Sequence, residues 1–317
     1  MATLGALSNL PGAPMSEYGY LTADVFTDRP FGGNPLAVFS EARGLAGETM
    51  QRLAAEFNLS ETVFVLPPEN PAHTARLRIF TPAVELPFAG HPTVGTALIL
   101  AETGRLGAID RRRDIVLEEG AGPVPVTIER DAAGRLKATL TSPVVPSRRP
   151  ESFDRVQFAA AVGLDEAALE PGVPGAIFNV GVSFAILPVR PDRLAAARVD
   201  LGLWRRYFAD TPAQHFYLAA LDDWAQGRTA RVRMFAPAMG VMEDPATGAA
   251  AAAFTGFLVA HQRPADGVTR WTLSQGAEIG RPSTIEIGAE IAGGMLKAAR
   301  VGGTAVLMSR GSFELPS

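Results

Sequence analysis

The sequence predicts an α+β protein of two pseudo-symmetric lobes. In each lobe a curved, mixed or antiparallel sheet, a half-barrel, wraps round a central apolar helix. Two segments, 92–101 and 245–260, carry no charged side chain, so a helix over either would be apolar on every face and must be buried. Many short strand-like segments with hairpin-length gaps surround them, which favours curved sheets over a doubly wound parallel sheet.

The two halves of the chain share an ordered series of matching phrases. They precede and follow the two uncharged segments and are separated by about 155 to 160 residues. The matched pairs are 76–83 with 231–238, 117–121 with 273–277, 127–129 with 284–286, and Gly134 with Gly294. A period of this length is too long for a solenoid and indicates two homologous lobes.

The other elements follow from local patterns. Apolar residues spaced at three and four predict an amphipathic helix over 47–57, and a second such helix is expected over 200–208. Apolar and alternating runs between Gly, Pro and Asn breakers predict strands. These are 20–26, 36–39, 62–66, 76–80, 115–118, 124–129, 136–140, 177–180, 184–189, 217–221, 229–235 and several between 271 and 315.

The helix over the second uncharged segment has a clear predicted start. Asp244 has the side chain of a good N-cap, and Pro245 suits the first helical position because it loses no needed donor. The amino end of this helix is therefore expected to present free N–H groups and a positive dipole end at the edge of the core.

The proline-rich, basic stretch 143–150 is the best candidate for a linker. It divides the chain into an N-terminal lobe, 18–143, and a C-terminal lobe, 144–317, whose last strand could cross back to the first lobe. Residues 1–17 are interpreted as a flexible extension, since the start of the chain lacks the basic and long apolar regions of a signal peptide.

Composition excludes several classes of function. The 317 residues carry a net charge of −4 without a Lys/Arg cluster, so nucleic-acid binding has no electrostatic support. The absence of cysteine excludes disulfides and thiol catalysis, and no uncharged run reaches the roughly 20 residues that span a bilayer. No Gly-rich dinucleotide motif, Walker lysine or paired-His spacing occurs. A cytoplasmic enzyme without cofactor or metal is expected.

Five short motifs together resemble a known family. They are 31–35 (FGGNP), 59–62 (LSET), 89–93 (AGHPT), 243–248 (EDPATG) and 280–283 (GRPS). Their order resembles the PhzF-like family of phenazine-biosynthesis isomerases, over nearly the whole chain from about Tyr20. The resemblance implies the diaminopimelate-epimerase fold, a site in the cleft between the lobes, cofactor-independent isomerase activity and a homodimer.

If the two uncharged helices are related by pseudo-symmetry, their amino ends can meet across that cleft. Their free N–H groups and dipoles would favour a small anionic substrate, most simply a carboxylate, and would stabilise negative charge developing on carbon. In diaminopimelate epimerases the positions before these helices carry a cysteine pair. The places that correspond here hold His91 and Asp244.

Glu61 is the candidate general acid/base. It lies between apolar Leu59 and the strand 63–65, where partial desolvation would raise its pKa toward neutrality. From the residues alone, a solvated glutamate at a strand edge is the favoured interpretation. The resemblance reverses this preference, because it places the family's catalytic glutamate at this position. Asp244 could cap its helix, contact substrate, or both.

His91 is a poor helix cap, so we expect it to relay a proton or orient substrate. Ser60 could orient Glu61 or only begin the strand, and Asn34 could be a turn residue or a ligand contact. With these, the resemblance implies a substrate-binding set of Asn34, Ser60, Gly90, Thr247, Gly248, Ala249 and Gly276. Ala249 stands where the family often has serine, so one hydroxyl is missing.

Three functions remain open from the sequence. The first is an isomerase that moves a proton and a double bond on a small carboxylate-bearing metabolite, with Glu61 as acid and base. The second is an epimerase or racemase of the same fold, which needs a second proton carrier. The third is a catalytically retired metabolite-binding or regulatory protein, which the missing hydroxyl would suit.

Overall fold

A computed structural model describes residues 15–131 and 133–316. Residues 1–14 of the predicted extension lie outside this part, and its last three residues belong to the first strand, which begins at Met15. The helices are α1 (Gly47–Phe57), α2 (Gly90–Glu102), α3 (Arg155–Ala161), α4 (Leu201–Tyr207) and α5 (Gly248–Gln262). The strands are β1 (Met15–Val25), β2 (Asn34–Phe39), β3 (Glu61–Leu66), β4 (Ala75–Phe80), β5 (Glu85–Leu86), β6 (Arg112–Glu119), β7 (Gly122–Arg130), β8 (Leu136–Thr141), β9 (Ser147–Arg148), β10 (Ala176–Asn179), β11 (Ser183–Pro188), β12 (Phe216–Ala220), β13 (Thr229–Ala236), β14 (Val241–Asp244), β15 (Gly267–Gln275), β16 (Ser283–Ala292), β17 (Met295–Gly303) and β18 (Ala305–Pro316).

The two uncharged segments form the buried helices α2 and α5. All but the last residue of α2 is buried, and α5 is buried from Ala250 to Leu258. The α2 helix packs on β1, β2, β3, β7 and β8, whereas α5 packs on β9, β10, β11, β16 and β17. The predicted α+β architecture, with a sheet wrapped round an apolar helix in each half, is therefore confirmed.

The strand pairings repeat between the halves. In the first half β2–β3 and β4–β6 are parallel, and β3–β4, β6–β7 and β7–β8 are antiparallel. In the second half β11–β12 and β13–β15 are parallel, and β12–β13, β15–β16 and β16–β17 are antiparallel. The same order of parallel and antiparallel neighbours makes the sequence repeat a structural one.

The halves are joined by continuous sheet. β8 pairs with β17, and β1 pairs with β18 along nearly its whole length, so the last strand lies against the first. The position of the boundary near residue 143 stays a prediction. Among the described residues, no helix combines the length and apolar character needed to cross a bilayer.

Local patterns predicted α1 with its observed ends. They also predicted a helix over 200–208; the observed α4 is one residue shorter at each end, because Asp200 is its N-cap, whose carboxylate accepts from two backbone N–H groups, and Phe208 is its C-cap. The short helix α3 was not expected. The predicted start of α5 was wrong: the helix begins at Gly248, its N-cap is Thr247, and Asp244 is the last residue of β14. The Asp244 carboxylate accepts from the side chains of Asn34 and Thr247 rather than from the first N–H groups of the helix, so it does not cap the helix.

Candidate active site

The amino ends of α2 and α5 meet in backbone contact. A Cβ on Gly90 would lie 2.7 Å from the Gly248 Cα, and a Cβ on Gly248 would lie 2.8 Å from the Gly90 Cα. Side-chain atoms are not tolerated at such distances, so only glycine at both positions permits this approach. Two sets of helix N–H groups and two positive dipole ends therefore converge at the junction of the halves.

Glu61 and His91 lie side by side at this junction. Glu61 is the first residue of β3, and its side chain is 16% exposed. Its Oε2 lies 3.3 Å from the Nε2 of His91 in the first turn of α2, and both atoms are buried. Within the described residues neither atom has a hydrogen-bond partner of good geometry. Two adjacent buried polar atoms without partners are available to a substrate group that contacts both.

Asp244 and Asn34 belong to the same group. The Asn34 side-chain amide, fully buried at the start of β2, donates to Asp244 Oδ1 and to the Ala246 carbonyl, each at 2.9 Å. The same nitrogen lies 3.3 Å from the His91 Nδ1. Asn34 thus ties the segment before α5, which lies 210 residues further along the chain, to the first turn of α2.

Burial changes the acidity of all three titratable groups. It raises the pKa of Glu61 to about 8, and the nearby Asp244 carboxylate contributes to this rise. It raises the pKa of Asp244 to about 6, although hydrogen bonds from Thr247 and Asn34 act the other way. It lowers the pKa of His91 to about 3, although a hydrogen bond from the ring to the Pro35 carbonyl acts to raise that pKa. Near neutrality the imidazole is uncharged and Glu61 can both take and give a proton.

Two of the other predicted residues surround Asp244. The Thr247 hydroxyl donates to its Oδ2. Gly276 adopts a left-handed φ of +77°, and a Cβ there would lie 2.6 Å from the Pro245 carbonyl oxygen. Gly276 therefore allows the chain to pack closely behind the Asp244 segment.

Ser60 and Ala249 lie at the edge of the group. Ser60 precedes Glu61 and is half-buried. Ala249 lies in the first turn of α5 and packs against the core with its methyl group. Its backbone nitrogen would be 3.2 Å from a Cβ on Gly90, so this position faces the other helix.

Gln275 is a site residue that sequence reasoning missed. Its Nε2 donates to the Asp244 carbonyl at 2.8 Å and to the Thr247 hydroxyl at 3.1 Å. It therefore fixes the turn between β14 and α5. The sequence repeat, which aligns 273–277 with 117–121, was the signal that could have identified it.

Arg281 is a second missed residue, and it holds the loop that leads to Asn34. Its guanidinium donates to the carbonyls of Gly32 at 2.7 Å and Gly33 at 2.8 Å, and to the buried Asp24 carboxylate at 2.5 Å. The Arg281 side chain comes from the second half of the chain and the loop from the first. The Gly-Arg-Pro-Ser motif thus has a bridging role between the halves.

An arginine–glutamate ion pair occurs once in each half of the chain. Arg233 binds Glu243, next to Asp244, through two hydrogen bonds of 2.8 and 2.7 Å, and Arg78 binds Glu85 through two of 2.7 Å. Each arginine also lies 5.0 Å from the ring of a phenylalanine two residues further on. Such paired contacts fix the hairpins that precede α2 and α5.

The fold and the site define a class. This is a two-lobed α+β protein in which two carboxyl groups and an imidazole, all with shifted pKa values, face two converging helix amino ends. Titratable groups with shifted pKa values at such a junction mark a candidate active site.

Comparison with known proteins identifies a family and relatives that are named as isomerases. The family model described as "Phenazine biosynthesis-like protein" matches residues 23–311. An uncharacterized isomerase of Mesorhizobium japonicum is 41% identical over 308 residues, covering 94% of this chain and 99% of the relative. The trans-2,3-dihydro-3-hydroxyanthranilate isomerase of Pseudomonas aeruginosa is 38% identical over 298 residues, covering 93% and 99%.

A PhzF-family phenazine biosynthesis protein from Bacillus anthracis superposes with a TM-score of 0.83 at 24% identity, over 94% of this chain and 99% of that one; at this identity the likeness concerns the fold alone. The chain belongs to the PhzC-PhzF family, the phenazine biosynthesis-like proteins, and it is an isomerase of this type.

Proposed function

We propose that this isomerase moves a proton, and with it a double bond, on a small carboxylate-bearing metabolite, without a cofactor. The proposal rests chiefly on Glu61, a carboxyl group with a pKa near 8 whose Oε2 has no hydrogen-bond partner in the described structure. A carboxyl group of this acidity can remove a proton as the anion and return it as the acid close to neutral pH.

In this mechanism Glu61 takes a proton from one carbon and the electron pair moves into the adjacent π system. The double bond shifts, and the same carboxyl, whose proton exchanges with solvent, delivers a proton to another carbon on the same face, so the isomer formed has the same atoms as the substrate. The uncharged His91 and the Asn34–Asp244 pair orient the substrate. The amino ends of α2 and α5 bind its carboxylate and stabilise the negative charge that develops in the transition state.

The names of the relatives indicate the substrate class to test first. Trans-2,3-dihydro-3-hydroxyanthranilate carries a carboxylate that suits two helix amino ends, and relatives up to 38% identical are named as isomerases of this compound. Ala249 offers no hydroxyl, so we expect this compound to serve as a probe substrate, and a related carboxylate to serve better.

Epimerisation is the second candidate. It needs proton carriers on both faces of one carbon, and Asp244 provides a second buried carboxyl group, with a pKa of about 6. In this version Glu61 and Asp244 act from opposite sides.

We also propose, from the family resemblance, that the protein is a cytoplasmic homodimer. Light scattering at several concentrations tests the oligomeric state.

Reaction in D₂O separates these possibilities. We would incubate trans-2,3-dihydro-3-hydroxyanthranilate with wild-type protein, Glu61→Gln and, as matched control, Glu56→Gln, an exposed glutamate on α1, and follow the label by NMR. Deuterium at a new carbon supports double-bond isomerisation, and deuterium at an inverted centre supports epimerisation. We expect Glu61→Gln to slow the reaction by about 10²–10⁴-fold while ligand affinity is retained. Equal rates for wild type and Glu61→Gln would contradict the role of Glu61.

A further inference from the structure

A second buried carboxyl group contacts the start of α2, and the proposed mechanism does not use it. Glu119 is the last residue of β6 and is 8% exposed. Its Oε1 accepts from the Thr93 hydroxyl at 2.5 Å, and the carboxyl also accepts from the backbone N–H of Ala89, the N-cap of α2. Its Oε2 is buried and has no hydrogen-bond partner among the described residues.

The other half of the chain holds an amide at the same place. Gln275 is the last residue of β15, and its Oε1 accepts from the backbone N–H of Thr247, the N-cap of α5, at 3.4 Å. The sequence repeat aligns Glu119 with Gln275, and the strand pairings align β6 with β15. One strand-end side chain therefore holds the N-cap of each central helix, and in the second half that side chain is uncharged.

No cation in the described chain neutralises Glu119. The cavity of about 450 Å³ beside it holds six other charged or titratable groups, and all of them pair with one another: Arg76 with Glu69, Arg78 with Glu85, and His73 with Glu118. From α2 the nearest titratable group is His91, which is uncharged near neutrality. Burial without a cation raises the pKa of Glu119 to about 8.

We propose that Glu119 holds the first turn of α2 as the undissociated acid, the counterpart of the Gln275 amide, and is thereby a positioning residue for His91 and for the anion-binding end of α2. Its catalytic meaning rests on the proposed function. An ionised Glu119 would place a buried negative charge at the helix end that is to receive the substrate carboxylate, and so weaken that site. The neutral acid makes the same contacts and leaves the positive end free.

Unfolding in urea at several pH values tests the protonation state. Glu119 has a higher pKa in the folded protein than its ordinary value, so the folded state binds more protons between about pH 4.5 and pH 8 and loses stability across that window. Relative to Glu119→Gln, the folding equilibrium constant of the wild type should fall by up to about tenfold per pH unit there. Contributions from other groups cancel in this comparison.

Gln275→Glu is the converse variant and carries the test if Glu119→Gln does not fold. The folding stability of this variant should fall between about pH 4.5 and pH 8, because its residue 275 can ionise over that window and the wild-type glutamine cannot. A difference between wild type and Glu119→Gln that is independent of pH, or that favours the wild type as the pH rises, would overturn the proposal.

The positioning role has its own readout. The sequence contains four histidines, so the ring signal of His91 can be assigned in an NMR spectrum with a His91→Asn variant. We expect Glu119→Ala to displace this signal and Glu119→Gln to restore it to its place in the low-pH wild-type spectrum. No displacement in Glu119→Ala, or an equal displacement in both variants, would contradict positioning. Neither readout uses turnover, so failure here would leave the isomerase proposal standing, and failure of the D₂O reaction would leave these results unchanged.

Discussion

Gly248→Ala tests whether the contact between the two helix amino ends matters. The added Cβ would lie 2.8 Å from the Gly90 Cα, 3.1 Å from its carbonyl carbon and 3.2 Å from the His91 nitrogen. Favourable contact between such atoms needs about 3.5–4.0 Å. All three neighbours are backbone, so no side chain can rotate away, and the two helix ends must separate by about 1 Å.

We expect this separation to affect stability modestly and activity strongly. Overpacking of this kind costs about 1–3 kcal/mol, and the higher helix propensity of alanine returns at most about 1 kcal/mol. A 1 Å misplacement of groups that bind and polarise the substrate can cost on the order of 100-fold in rate. Urea unfolding measures the first effect, and the rate of deuterium incorporation from D₂O measures the second.

Gly288→Ala is the matched control. Gly288 is buried in β16 of the same half, and an added Cβ would have no neighbour closer than 3.7 Å. It should leave the rate of deuterium incorporation unchanged. If Gly248→Ala exchanges deuterium as fast as Gly288→Ala does, the converging helix ends are not part of the catalytic apparatus.

Three further predictions follow from the same site. Glu61→Gln removes a carboxyl group whose pKa is raised from 4.5 to about 8, so the wild type loses stability over that window. In urea unfolding, the free energy of unfolding of the variant should equal that of the wild type below about pH 4.5 and exceed it by up to about 5 kcal/mol above pH 8. Asp244→Asn removes a charge that raises the Glu61 pKa, so the acid limb of the pH–rate profile should move to lower pH; an unmoved limb contradicts the coupling. Arg281→Ala leaves the buried Asp24 carboxylate without its cation and should cost about 3–5 kcal/mol, whereas Arg52→Ala, in an exposed pair, should cost less than about 1 kcal/mol.

The sequence predicted those features that depend on contiguous residues. Two long uncharged segments in an otherwise charged chain can form only buried helices, and the repeated phrases around them required two similar halves. The amphipathic spacing in α1 likewise reproduced the helix Gly47–Phe57. These patterns are local, so no knowledge of tertiary contacts was needed.

The parts that could not be predicted depend on distant partners. Asp-Pro before an apolar run has the form of a helix start, yet the Asp244 carboxylate bonds to Asn34, which lies 210 residues away. Arg281 contacts the loop before Asn34 across a similar distance. The equivalence of Glu119 and Gln275 was visible in the aligned repeat. Its meaning required knowing that each strand end lies beneath a helix N-cap.

The most direct test of the proposed catalytic site is the acidity of Glu61 itself. A ¹³C NMR titration of the side-chain carboxyl groups, with the Glu61 signal assigned by its loss in Glu61→Gln, gives that pKa without any substrate. We expect a midpoint near pH 8, which falls in Asp244→Asn. A midpoint near the ordinary value of 4.5, unchanged in Asp244→Asn, would contradict a buried proton carrier at this position.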